Sequence, residues 1–152
     1  MKSKIFTEVI SFFLTLLFVY AATAKLLEYT VFKDQLSLVP LTAPYKNILV
    51  WLLPVVELGI AGALTVDNTR FYGLYGSLIL LVVFTGYIAG MLLSASRLPC
   101  SCGGVISGLS WKGHLLFNLF FIAISIAGIV LKRKEKSNTN KPITIYKNIP
   151  RG

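Results

Sequence analysis

Both cysteines and the only histidine of this 152-residue chain fall in one stretch, RLPCSCGGVISGLSWKGH, at residues 97–114. Cys100 and Cys102 are separated by a single serine, and His114 closes the stretch. Two thiols so near in sequence can bond each other, bind a soft metal, or stay reduced and idle. As a staple the pair is poor. Closing a three-residue loop removes only about 1.6 kcal/mol of unfolded-state entropy, and so tight a ring strains the bond. Strain raises the reduction potential, so a bridge that adds little stability is suited to passing oxidising equivalents. Arg97, Lys112 and a protonated His114 would favour the thiolate, as would the start of a following helix. Gly103 and Gly104 put no side chains in the way of a docking protein. A metal would use Cys100, Cys102 and His114 as two sulfurs and one nitrogen, suiting Zn or Cu(I), with no evident fourth ligand. C-x-C is not the C-x-x-C of thioredoxin-like domains, so all three uses stay open, with a redox pair supported by His114 favoured.

A second polar set lies inside apolar sequence. Glu57, in PVVELGIAG, sits nine residues into such a run, about 14 Å deep if the run is a helix crossing a bilayer. A charge there costs about 2.5–3.5 kcal/mol or more unless it is paired, protonated or faces a polar cavity. Pro54, one turn earlier, removes a helix hydrogen bond and frees the carbonyl of Val50. The best partner is Lys25, which either snorkels outward to pair with Glu28 or bends inward toward Glu57. A lock between two helices is the favoured role for Lys25 and Glu57. A proton site or a quinone-headgroup site is the alternative, and quinone is the one cofactor this raises. Asn118 shares a helix face with His114, and its favoured role is a hydrogen bond to a neighbouring helix. No nucleophile elbow, phosphate-binding glycine loop or spaced carboxylate pair is present, so enzymatic action would be that of a thiol-disulfide oxidoreductase component.

The elements that must position these groups follow from composition. The chain is 55% hydrophobic and 14% charged, with mean hydropathy +0.74, which is the profile of a membrane protein. Apolar runs cover about residues 5–27, 48–66, 73–93 and 111–131, each near the ~20 residues a helix needs to cross the hydrocarbon. In lipid the backbone must satisfy its own hydrogen bonds, so the expected fold is an all-α bundle of four transmembrane helices. The links are about 20, 6 and 17 residues long. Residues 1–131 form the membrane domain and 132–152 a basic tail.

The net charge of +9 does not point to nucleic acid, because seven of the 15 Lys and Arg fall in that tail. A basic run after an apolar helix reads as a cytoplasmic flank near anionic lipid. Lys2, Lys4, Arg70 and the tail outnumber Lys25, Lys33, Lys46, Arg97 and Lys112 on the other side, so both termini are expected in the cytoplasm. The expected location is the bacterial inner membrane, with the cysteine link facing the periplasm. MKSK, an apolar run and ATAK at 22–25 imitate a secretory signal, but the run is long for one and contains Glu8, so it is read as a retained span.

Taken in order, the lysine in AATAKLLEYTVFKDQL, the P-x-x-E-L of the second span, CSCGG and SWKGHLLFNLFF resemble the MauE/DoxX-like family of membrane proteins, over roughly residues 5–131. MauE-type members are associated with maturation of methylamine dehydrogenase and with disulfide formation in its cysteine-rich small subunit. DoxX-type members are associated with quinone-linked redox systems. The resemblance implies a periplasm-facing thiol-disulfide role for Cys100 and Cys102 beside a thioredoxin-like or cysteine-containing partner. Relatives read C-x-C-F-G with a downstream Asn; here Gly103 replaces the Phe, while Gly104 and Asn118 match. A non-catalytic assembly or anchor subunit is the alternative class, and a small-solute or metal transporter a weaker one, since four spans without broken-helix repeats are a poor transporter plan.

Overall fold

A computed structural model describes residues 2–94 and 111–139. Five α-helices appear among them: α1 (Lys2–Leu27), α2 (Tyr29–Leu38), α3 (Lys46–Thr65), α4 (Arg70–Ser94) and α5 (Trp111–Thr139), with a short 3-10 turn at Ala43–Tyr45. No strand occurs among the described residues. The long helices α1, α3, α4 and α5 each contain a segment long and apolar enough to cross a membrane: Lys4–Leu27, Ala43–Thr65, Arg70–Gly90 and Gly113–Ser137. The expected all-α architecture with four spans is the one observed.

Each long helix packs on two others. α1 lies against α3 and α5, and α4 lies against the same two, which closes a four-sided bundle whose diagonal partners scarcely touch. The sides facing inward repeat every three or four residues. On α1 they are Thr7, Ser11, Leu14, Phe18 and Ala21, and on α3 Val50, Pro54, Glu57, Ala61 and Leu64. That 3.5-residue stripe is the seam of knobs-into-holes packing. The outward faces carry the large apolar groups, among them Phe6, Phe12, Phe13, Leu16 and Val19 on α1. Small and polar residues such as Thr7, Ser11, Ser77 and Ser125 are buried instead. In lipid no hydrophobic force separates the two faces, so inward positions are selected for close packing and hydrogen bonding.

The end of the bundle holding the α3–α4 turn is pinned. Thr69 donates to the carbonyl of Ala63 at 3.0 Å and Arg70 Nε to that of Leu64 at 3.1 Å, satisfying carbonyls that the end of α3 leaves open. Arg70 also pairs with Asp67, so its charge enters the bundle end already matched. A β-carbon on Gly73 would lie 2.9 Å from the backbone nitrogen of Leu64, and one on Gly128 would meet Leu74 and Ile10 at 2.9 and 3.0 Å. These glycines let α4 approach α3, and α5 approach both α1 and α4. Arg133 stacks over the Tyr75 ring and hydrogen-bonds its hydroxyl, tying α5 to α4 at the same end.

The opposite end differs from the sequence expectation. The first link, read as a 20-residue connection, contains α2. At Glu28 (φ −104°, ψ 43°) the chain bends out of α1 while the helical bonds Glu28 N to Ala24 O and Phe32 N to Glu28 O persist at 3.0 and 2.9 Å. Pro40 ends α2 by forcing Val39 into extended geometry (φ −100°, ψ 120°). Thr42 then caps it, donating to the Leu36 carbonyl at 2.6 Å. Leu36 is buried, and the Tyr29 ring rests 5.5 Å from that of Trp51, so α2 is docked on α3. At the other extreme of the chain, α5 does not stop at Leu131 but continues to Thr139, carrying Lys132, Arg133, Lys134 and Lys136 on helix.

Glycine contacts of this kind give a paired expectation. Gly73→Ala pushes a methyl into backbone and lowers stability by about 1–3 kcal/mol. Gly62→Ala meets nothing within 4 Å and is neutral or stabilising. Thermal unfolding of the two variants in one detergent measures the difference.

Candidate functional site

Lys25 lies on the inward stripe of α1, two residues before its end. Helical side chains lean toward the N-terminus, so from this position the lysine reaches back into the bundle. Its Nζ donates to Glu57 Oε1 at 2.7 Å and lies 3.4 Å from the carbonyl of Ala21, one turn earlier. The Phe84 ring sits beneath the ammonium, 4.8 Å from Nζ to centroid, and Phe32 lies at 5.7 Å. Of the two dispositions open to Lys25, the inward one is observed.

Glu57 is 1% exposed on the α3 stripe, three residues after the buried Pro54. Its Oε2 is buried and makes no hydrogen bond among the described residues. The side chain of Lys25 retains 11% exposure. Burying two ions is repaid only by close pairing and further hydrogen bonds. The aromatic faces and the Ala21 carbonyl supply those to the ammonium; among the described residues the carboxylate keeps one unused acceptor.

Around the pair is a cavity of about 120 Å³. Lys25 and Glu57 form part of its wall, and His114 and Asn118 from α5 form another part. The aromatic side chains of Phe32, Phe84, Tyr87 and Phe117 complete much of the lining, with Gln35 contributed by α2. Tyr87 donates to the backbone carbonyl of Gln35 at 3.0 Å, fastening α2 across this end. His114 is buried on the inward stripe of α5, and Asn118 follows it one turn on.

The structure therefore brings Lys25, Glu57, His114 and Asn118 to one cavity. Cys100 and Cys102 lie outside the described residues. The helix ends that they separate in sequence, those of α4 and α5, belong to the cavity's end of the bundle. Asn118 lines the void. Among the described residues no group of His, Cys, Asp and Glu is arranged to hold a metal. The ring residues and Gln35 were not singled out from sequence. Phe84 and Phe117 are aromatic residues within aromatic-rich spans and carry no distinguishing spacing. Phe32 and Gln35 would have stood out had YTVFKDQLSL been read as a helix.

A bundle of four apolar helices holding a buried ion pair beside a ring-lined void defines a multi-pass membrane protein with a polar site inside its helical bundle. The chain belongs to the MauE family: residues 3–131 match the family described as methylamine utilisation protein MauE. No curated protein and no solved structure matches the chain.

The ion pair makes a double-mutant expectation. Lys25→Met or Glu57→Leu alone leaves a buried charge unmatched and costs about 3–5 kcal/mol, whereas the double substitution recovers most of that loss. Unfolding of the three variants in detergent, followed by circular dichroism, measures it.

Proposed function

We propose that this chain acts in methylamine utilisation as the membrane component of a thiol-disulfide pathway that matures a partner protein. Family membership supports the physiological setting. The observation that carries the chemistry is the placement of both of the chain's thiols, one residue apart, in the link between two helices that bound the polar cavity. The excess of Lys and Arg at the opposite end supports a periplasmic position for that link in a bacterial inner membrane. There a dithiol has oxidising partners.

In this reading a thiolate of the partner attacks the Cys100–Cys102 disulfide and forms a mixed disulfide, releasing one cysteine as thiolate. A second partner thiolate then resolves it. The partner leaves with a disulfide, and Cys100 and Cys102 carry the two electrons as a dithiol after taking up two protons. The partner is a periplasmic thioredoxin-like or cysteine-containing protein. His114, at the start of α5 and close in sequence to the pair, supports the thiolate. Lys25 and Glu57 lock α1 to α3, the two helices against which the link-bearing α4 and α5 pack.

Labelling intact cells with a membrane-impermeant maleimide, with and without prior reduction, tests this. Reaction only after reduction is expected, together with loss of partner maturation in Cys100→Ser and Cys102→Ser. Thiols that react without reduction, or full maturation in both variants, would leave the chain as an assembly or anchor subunit.

A further inference from the structure

Three cations of the bundle have a carboxylate beside them: Lys25 with Glu57, Arg70 with Asp67 and Lys132 with Glu135. Arg133 differs. Its guanidinium carbon lies over the Tyr75 ring, 5.8 Å from the centroid, and one of its nitrogens donates to the Tyr75 hydroxyl. Both contacts are to a neutral group, and no carboxylate among the described residues pairs with it. A guanidinium carries five N–H bonds and does not lose its charge in a protein. Arg133 is therefore held in place by its neighbour while its charge and most of its donors stay unmatched among the described residues. Phe71 packs on Tyr75 at 4.9 Å and steadies the phenol in turn.

Arg133 stands two residues beyond the apolar run that ends at Leu131. Helical side chains lean back toward the N-terminus, so its guanidinium returns to the edge of the span. Tyr72, 74% exposed, and Tyr75 stand in the first two turns of α4, where an aromatic belt meets the headgroups. Because α4 begins where α5 ends, the two helices run deeper together from this contact. Ile79 and Val82 follow Tyr75 by four and seven residues, on its face of α4. Ile126 and Val130 precede Arg133 by seven and three, on its face of α5. All four are exposed. The α4–α5 seam thus has a fixed cation at its head and apolar side chains along both sides below it.

We infer that this seam seats one anionic phospholipid, its phosphodiester on Arg133 and its acyl chains along Ile79, Val82, Ile126 and Val130. Two phosphate oxygens accept from the guanidinium fork, a geometry that a lysine ammonium does not reproduce. Lys136, one turn beyond Arg133 on α5, adds positive charge on the headgroup side. A glycerol headgroup tolerates that lysine, whereas the choline of a zwitterionic lipid is repelled by it. Selectivity for anionic lipid follows. Basic residues past a span draw anionic lipid wherever on the helix they stand. A pinned guanidinium goes further and chooses one position for one molecule. Lys134, exposed and about 100° round the helix from Arg133, has the charge without the seam.

Native mass spectrometry of the full chain, delipidated in detergent and titrated with dioleoylphosphatidylglycerol, tests the inference. The first molecule is expected to bind about tenfold more tightly than later ones, and than the first dioleoylphosphatidylcholine, the worth of a charge-assisted contact. Arg133→Gln removes that first step. Arg133→Lys, which keeps the charge and loses the fork, weakens it about threefold. Lys134→Gln removes the same unit of charge and leaves the first step unchanged. Glycerol 3-phosphate, the headgroup anion without chains, displaces no lipid. Melting curves establish that each variant is folded, and if Arg133→Gln is not, Arg133→Lys decides. A first step no tighter than the rest, equal binding of the choline lipid, equal effects of Arg133→Gln and Lys134→Gln, indifference to Arg133→Lys, or displacement by glycerol 3-phosphate each overturns the inference. The readout involves neither thiol, so it is separate from the maleimide experiment.

Discussion

Hydrocarbon offers no solvation to a charge, and this chain nevertheless places a carboxylate and an ammonium on inward stripes of two adjacent helices. Much of the arrangement follows from satisfying them. Lys25 must stand near the end of α1, where backward-leaning side chains bring its nitrogen down to Glu57. α1 and α3 must then be neighbours in a fixed register, because a displacement of one turn would strand both ions. Phe84, from the facing helix α4, lies under the ammonium and so brings a third helix into the same constraint. The pair contributes to specificity of packing more than to net stability, since a well-packed apolar pair of similar shape would serve stability as well.

The two ends of the bundle are built differently. At the end with the α3–α4 turn, glycines and capped carbonyls bring helices into close contact. At the other, α2 bends out of α1 and lies across the top, held by the Tyr87 hydroxyl, the buried Leu36 and the Tyr29–Trp51 contact. Polar residues distant in sequence converge beneath it because each occupies the same inward stripe of its own helix.

Hydropathy alone located the four spans, and an ionisable residue deep in a span is conspicuous in any sequence, so Glu57 and its pairing with Lys25 were legible. Which face of each helix turns inward was not. In a soluble bundle the inward stripe is the apolar one; here Phe12, Phe13 and Leu16 face outward while Thr7 and Ser11 are buried, so apolar periodicity gives no signal. Phe84 and Phe117 accordingly carry no distinguishing mark in the sequence. The α2 helix is hidden for a different reason. Its sequence mixes charge with aromatic residues in ten positions, too short and too polar to register against the spans around it.

The glycine contacts have a mechanical consequence. A bundle clamped at one end and void at the other bends more easily where it is void, in the manner of tweezers joined at the base. Lateral pressure from surrounding lipid would be resisted near Gly73 and Gly128 and absorbed by the jaws formed by the far ends of α1, α3, α4 and α5.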